Sequence, residues 1–525
     1  MKKMILSLYA IIITIGIHAQ NVGINTLTPA GKLHIKGSAD ISQLVIDAHS
    51  TQSNISPLIR LRNSNGNDLM WIHSDNVFNT FIGYNTGRVN NLFGGGGLYN
   101  TFIGNSAGYS NTTGSSNTAN GVDAMHYNSA GSDNTANGLG ALFVNTTASQ
   151  NTAIGGYALF NQSYNPGTVW NSGNTAVGYQ ALYLNSPTST ANGISNTAVG
   201  HSALRVNTTG YDNTAVGASA LYTNNTGREN TGIGRQSLFY NTTGSDNTAI
   251  GYKSLRSNDD GWYNTASGNY ALFSNTSGIS NTASGYYALY GNTMGNWNTA
   301  FGMYALRYTT GNSNTAIGLS SLDNLYGGSN NIAVGSGSGN DPGSPNVNNT
   351  ISIGNNGWLN GASNQVFLGN SSSSWIGGWQ LWTKYSDSRI KTRVTEGVVG
   401  LEFIKKLRPV TYYMSIKTAA LLTHNKEIPD FPEKYDVEKI KYSGFLAQEV
   451  EKAANESGYD FDGVHKPKND HDLYSLSYES FIMPLVKGMQ EQQVIIDELK
   501  KSKEYQQQQL NTLLKEIQLI KEKIK

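Results

Sequence analysis

Few residues in this chain have the types and spacing that bond-breaking chemistry needs. The clearest set is Tyr385-Ser386-Asp387-Ser388-Arg389-Ile390-Lys391, where a hydroxyl and an amine stand in a Ser-x-x-x-x-Lys frame among charged neighbours. A serine hydroxyl is a weak nucleophile until a neighbouring base takes its proton. A lysine amine, with an ordinary pKa of about 10.4, can be that base only when desolvated or set beside positive charge. The same spacing suits a serine that caps a turn and a solvated surface lysine, so alone it leaves both readings open. Elsewhere the 9 His form no metal-like cluster, and the repeats offer no carboxylate pair in a distinct setting. No metal and no cofactor is expected.

The elements that must position this segment form a long, self-similar body. Only 14% of the 525 residues are charged, 59 are Gly, and Asn, Thr and Ser crowd the middle, a composition for stacked turns rather than helical layers. A formal net charge of +1 with few basic residues in the middle gives no stripe for phosphates, so nucleic acid is not expected as a partner. Lys2 and Lys3, the apolar stretch Met4 to Ile17, and His18-Ala19-Gln20 read as an export signal over residues 1–19. That stretch is short of the roughly 20 apolar residues of a membrane span. The product is expected outside the cell or on a bacterial cell surface, with no stable membrane span once the signal is removed. Export without a single cysteine leaves repetition and assembly as the sources of stability.

The repetition is explicit. The phrase Asn-Thr-Ala-(Ile/Val)-Gly recurs with its Asn at 196, 213, 230, 247, 264, 281 and 298, every step 17 residues, and with longer steps ending at Asn100, Asn174 and Asn196. A fixed period of this size marks a solenoid. In one unit, Thr197 and Val199 would face one side of a short strand and Ala198 the other. Gly200 allows a tight corner, Ala203-Leu204 adds a second apolar patch, and Asn207-Thr-Thr-Gly210 is turn chemistry. The fold expected is mainly β: a parallel β-solenoid (β-roll) over residues 79–369, behind an N-terminal β cap at 20–78. The cap is read from Leu33-His-Ile35, Leu44-Val-Ile46, Leu58-Ile-Arg-Leu61 and Leu69-Met-Trp-Ile72. The threonine column is read as a hydroxyl ladder serving backbone groups rather than an ice or glycan template. Tyr179, Tyr222, Tyr240, Tyr252, Tyr270, Tyr287 and Tyr304 are read as packing between coils or subunits, in preference to stacking on sugars.

The repeats resemble the β-roll heads of bacterial trimeric autotransporter adhesins, whose units carry a similar (Ser/Asn)-x-Ala-(Ile/Val)-Gly core with a shorter period. That resemblance implies a trimer of parallel rolls and a surface-binding role. After Lys384 charge returns and the phrase stops. Ser386-Asp-Ser-Arg-Ile-Lys391, Leu407-Arg-Pro-Val410, Gly444-Phe-Leu-Ala-Gln-Glu449 and Tyr474-Ser-Leu-Ser-Tyr478, leading into Glu491-Gln492, follow one another in order. Here the chain resembles the intramolecular chaperone domain of phage tailspikes and endosialidases, the peptidase S74 family. The resemblance implies a small α+β chaperone domain at 385–481, joined through a linker at 370–384. It implies that Ser386 and Lys391 are a self-cleaving dyad, that the scissile bond adjoins Ser386 at Tyr385-Ser386, and that Asp387 and Arg389 support the site. Arg389 and burial at a trimer junction are expected to favour the neutral amine of Lys391.

Residues 482–525 carry a 3-4 spacing from Ile482, Leu485 and Met489 through Ile496, Leu499, Leu510 and Leu513 to Ile517, Ile520 and Ile524. Ile at both core positions near the end favours a trimeric coiled coil. Gln492, Lys503 and Gln506 interrupt the seam, and Pro484 is tolerable only in the first turn. Near-identical coils pose a register problem that a C-terminal device gathering three chains would solve. The expectation is a secreted or cell-surface homotrimeric fibre or adhesin. Its C-terminal domain directs assembly and then releases itself by cleavage next to Ser386, a single-turnover event with no outside substrate. The alternatives are an extracellular glycan-binding or glycan-degrading fibre, with a surface glycan or host-cell ligand as partner, and a non-cleaving fibre that keeps its chaperone domain.

Overall fold

The structure, a computed structural model, describes residues 22–24, 33–35, 44–47, 56–74, 76–91, 95–340, 342–355, 361–370, 372–373, 376–377, 384–422, 435–468 and 472–524. The expected signal at 1–19 and most of the expected linker lie outside these residues. Their centre is a parallel β-solenoid of about 16 turns. Each Asn-Thr-Ala phrase contributes one three-residue strand, and like residues stack on like: Thr197 on Thr214, Ala198 on Ala215, Val199 on Val216. Thr197 N–H donates to the Asn213 carbonyl and Gly217 N–H to the Val199 carbonyl, both at 2.8 Å, so each coil is bonded to the next on both flanks of the strand.

The strand's middle residue points inward. Ala198 and Ala215, like Leu204 and Leu221 from the second apolar patch, are completely buried. The resulting core is continuous from Phe81 to Val347. The corner after the strand requires glycine. Gly200 sits at φ 137°, and a Cβ there would meet the Gly217 carbonyl oxygen at 2.6 Å.

The expected threonine ladder is not what serves the interior. Thr197 and Thr214 are half-exposed at the outer face of the sheet. Among the described residues, the strand-opening threonine hydroxyls from Thr80 to Thr315 make no hydrogen bond to the backbone, and the partners come from asparagine. The phrase's first residue forms one buried ladder. Asn196 Oδ1 accepts from the Asn213 N–H and from Asn213 Nδ2, both at 3.1 Å. Asn213 Nδ2 also donates to the Gly227 carbonyl at 2.9 Å. The asparagine read as turn chemistry forms a second ladder: Asn224 Nδ2 donates to Asn207 Oδ1 at 2.8 Å and to the same Gly227 carbonyl at 2.9 Å. Asn196, Asn207, Asn213 and Asn224 are all fully buried. A threonine hydroxyl can cross the coil pitch, as Thr350 Oγ1 does in donating to Asn331 Oδ1 at 2.7 Å, but it has one proton to give. The planar amide, with two donors and an acceptor, serves the neighbouring coil's amide and a glycine carbonyl at once.

The aromatic residues pack from coil to coil. Tyr222 and Phe239 stack at 5.0 Å, Phe273 and Tyr290 at 5.1 Å, and Tyr270 and Tyr287 at 4.9 Å. Arg256 fills the rung between Phe239 and Phe273, with its guanidinium 5.4 Å and 5.7 Å from the two rings. Over the first coil lies an antiparallel hairpin, Ile59–Arg62 with Asp68–His73, whose second strand pairs antiparallel with Thr80–Ile82. The run at Leu44-Val-Ile46, expected to be a strand, is exposed and irregular. Three apolar residues with no pairing strand among the described residues have no ladder to join.

The C-terminal region is α+β. Helices Leu401–Ile404, Ile416–Leu422 and Ala447–Glu456 accompany two small antiparallel pairs, Val410–Tyr412 with Tyr442–Gly444 and Val464–His465 with Ser475–Leu476. Phe403, Val450, Ala453, Ala454, Phe461 and Phe481 form its core. The last element is a single helix of 43 residues, Ile482–Ile524, in which only Pro484 and Gly488 are buried. Its 3-4 stripe lies open, with Leu499 64% and Leu513 54% exposed, as suits a coiled coil. Among the described residues no helix is long and apolar enough to cross a membrane.

Candidate functional site

Residues 384–398 are an exposed strap whose one regular feature is a 3-10 turn, Ser388–Ile390. The residue before the turn makes it. Asp387 Oδ1 accepts the Arg389 N–H at 2.8 Å, and the Asp387 carbonyl accepts the Ile390 N–H at 3.2 Å. The turn closes with Lys391 N–H on the Ser388 carbonyl at 3.3 Å. Its effect is to bring the two ends of the Ser-x-x-x-x-Lys frame together: Lys391 Nζ donates to Ser386 Oγ at 2.7 Å. The capping residue is therefore Asp387, not Ser386, whose hydroxyl is left for the amine. Tyr385, which precedes Ser386, is 93% exposed.

Within the chain, Arg389 is engaged away from Lys391. Its guanidinium forks onto Asp387, with Nε 3.0 Å from both carboxylate oxygens and Nη2 2.5 Å from Oδ2. The hydrogen bonds from Arg389 hold the Asp387 carboxyl below its ordinary range, and the carboxylate raises the guanidinium in turn. The turn thus pairs residue 389 with 387 and residue 391 with 386. Ser386 and Lys391 are both exposed in the single chain, and the burial expected of them is that of a trimer junction.

Behind the strap, the blocks picked out in the sequence hold one another. The Arg408 guanidinium meets Glu449 at 2.5 Å and 3.0 Å, and its hydrogen bonds keep that carboxyl below the usual range. Phe445 N–H donates to Tyr478 Oη at 3.0 Å, over Gly444, which has no room for a side chain against that hydroxyl. Glu451 takes Lys466 at 2.5 Å and the Tyr474 hydroxyl at 3.0 Å, and these partners, Lys466 foremost, lower its pKa. Glu491 reaches back from the long helix to accept the Leu401 N–H at 2.8 Å. The strap thus leads directly into a domain clamped to the start of that helix. Among the described residues no group of His, Asp and Glu is placed to hold a metal ion. Sequence reasoning missed the role of Asp387 as the cap, for which Asp two residues before Arg was the available signal.

A long solenoid followed by a small α+β domain and an extended helix defines a fibre-like repeat protein with an appended C-terminal module. That module carries a family signature: residues 386–459 match the family described as Chaperone of endosialidase, Peptidase_S74. The match opens on Ser386, includes Lys391, Arg408 and Glu449, and ends before Tyr474 and Glu491. No curated protein matches the chain.

Proposed function

We propose that the chain is an exported, homotrimeric surface fibre whose C-terminal region gathers three copies, sets their alignment, and then cuts itself away at Tyr385-Ser386. The observation that carries this reading is the 2.7 Å contact between Lys391 Nζ and Ser386 Oγ at the head of the matched segment. The association of the family with trimer assembly and the open apolar stripe of the C-terminal helix support the trimer.

In the cleavage step, the neutral Lys391 amine takes the proton of Ser386 Oγ as the oxygen attacks the carbonyl carbon of Tyr385. The carbon–nitrogen bond to Ser386 breaks, and the lysine returns its proton to the leaving amine. The acyl group is then an ester on Ser386 Oγ, and water hydrolyses it to a Tyr385 carboxylate and a free Ser386 hydroxyl. The exposed strap gains its dry surroundings from the neighbouring chains, which ties the cut to completed assembly. Removing the module afterwards leaves a fibre that is kinetically trapped. Tyr222 and Tyr270 stack on aromatic rings of the next coil, which supports packing as their role ahead of sugar binding.

The experiment is Ser386→Ala in the full chain, analysed on a denaturing gel and by intact mass. Wild type should yield two fragments divided before residue 386, and the variant a single uncut chain. An identical fragment pattern for both proteins overturns the reading.

A further inference from the structure

The outer side of the stacked strands forms a regular open face along the solenoid. Its two columns are the first and third strand residues, since the middle one is buried. The third-residue column is mostly aliphatic and solvent-facing: Ile154, Val216, Ile233, Ile250 and Ile317 are 37–45% exposed. Strands in a sheet lie about 4.8 Å apart, so about 16 turns carry this stripe for roughly 75 Å, and at about 10 Å wide it presents roughly 750 Å². That is close to the roughly 800 Å² per partner of a stable protein–protein interface.

The column is broken twice, each time by two successive polar residues: Asn120 with Asn137, and Ser267 with Ser284. Their backbones stay in the ladder, Ser267 pairing with Ser284 and Asn120 with Asn137. Among the described residues, none of these four side chains makes a hydrogen bond within the chain. At its C-terminal end the face changes again. Ile332–Val334, Ile351–Ile353 and Val366–Leu368 place aliphatic residues in both columns, where earlier strands carry threonine in the first.

We infer that this face is where two further copies of the same chain pack, and that the two polar breaks act as alignment marks between copies. The inference rests on the trimer proposed above and goes beyond it by assigning the surface and a register code. In a parallel assembly of identical chains, every residue of the column meets its own counterparts. In the correct register the Asn pair meets Asn and the Ser pair meets Ser, so amides and hydroxyls bond across the interface. A slip of one or more coils sets an Asn against an aliphatic side chain and leaves a buried polar group without a partner, at a cost of about 1–3 kcal/mol per group. A polar residue in the seam of a coiled coil fixes register in the same way. The fully aliphatic end, nearest the module that gathers the chains, is the grip from which the face closes, and the marks reject misaligned closures as it proceeds.

The absence of cysteine from the chain makes the test direct. Ile233→Cys is introduced in the full-length Ser386→Ala protein, oxidised, and examined on a non-reducing gel, with particle mass measured in parallel. Thr243→Cys, on another exposed side of the coil, is the control. The inference expects trimers with efficient covalent pairing through residue 233 and at least tenfold less through residue 243. Trimers that pair through 243 and not 233 overturn the assigned face while leaving the trimer standing. A monomeric mass overturns both. The marks are tested in the same background by Asn120→Ile, Asn137→Ile, Ser267→Val and Ser284→Val together. Cross-linking through residue 233 should fall severalfold while trimer mass persists, and an unchanged yield overturns their role in register.

Discussion

The repeat body and the C-terminal module pair their polar groups in opposite ways. In the body the buried side-chain bonds repeat from coil to coil, as Asn213 links to Asn196 and Asn224 to Asn207, and the bonding groups are uncharged amides. In the module the bonds are unique and join distant segments: Arg408 to Glu449, Phe445 to Tyr478, Leu401 to Glu491. The difference shows where positional information resides. A ladder of identical bonds is strong along its length and nearly blind to which coil it has met. A set of one-off bonds is satisfied by one arrangement only. A fibre built mainly of the first kind needs a small share of the second to begin correctly.

The contrast breaks most visibly at the strap. Lys391→Arg keeps the positive charge, but a guanidinium does not give up its proton in proteins. Cleavage should be lost completely, with trimer mass and repeat-region circular dichroism unchanged. A variant that still cuts would remove lysine from the proposed step. Next in size is Asn213→Ala. It removes the bonds to Asn196 and Gly227 and strips the Asn230 N–H of its acceptor. Leaving these buried groups unpaired should cost about 3–5 kcal/mol in denaturant unfolding. Thr214→Val, one residue along on the open face, should change stability by less than about 0.5 kcal/mol. Equal effects of the two would restore the threonine ladder.

Acid should separate the two regions more gently. The carboxyls of Glu449 and Glu451 are held below their ordinary range by Arg408 and by Lys466 with Tyr474. A lowered folded-state pKa gives a contribution that is present above the unfolded carboxylate pKa, near 4.3, and is lost as pH falls through the lower folded value. Hydrogen-exchange protection over residues 401–465 should therefore fall below about pH 4, while the amide-laddered coils keep theirs. Simultaneous loss in both regions would show that the distinction does not extend to stability.

Much of this was legible in the chain. The recurring Asn-Thr-Ala phrase defines the period, the strand and the buried alanine, and the open 3-4 stripe defines the long helix. What the phrase does not reveal is which of its polar residues faces inward. Asn and Thr are both plausible turn and ladder residues within one unit, and only stacking decides between them. Stacking at this pitch favours the amide, which reaches a neighbouring coil's amide and a glycine carbonyl together. The spacing of Asn207, Asn224, Asn241 and Asn258 repeats as strictly as that of the phrase and was the available sign of the second ladder. At the candidate site, the Ser386–Lys391 pairing was readable through resemblance, whereas the aim of Arg389 depends on the twist of a single 3-10 turn. The exposed run at Leu44 shows the limit of reading short apolar stretches as strands when no partner is specified.

The interchangeability of the coils has a further consequence. Excising residues 247–263 as one block would let Asn230 meet Asn264 through the bonds it now makes to Asn247, with the alanine core and glycine corner in phase. Shaft length can therefore change in whole coils through duplication or loss of a short gene segment, while both ends stay as they are. Reach becomes a heritable variable independent of folding, open to selection without any redesign of the interior.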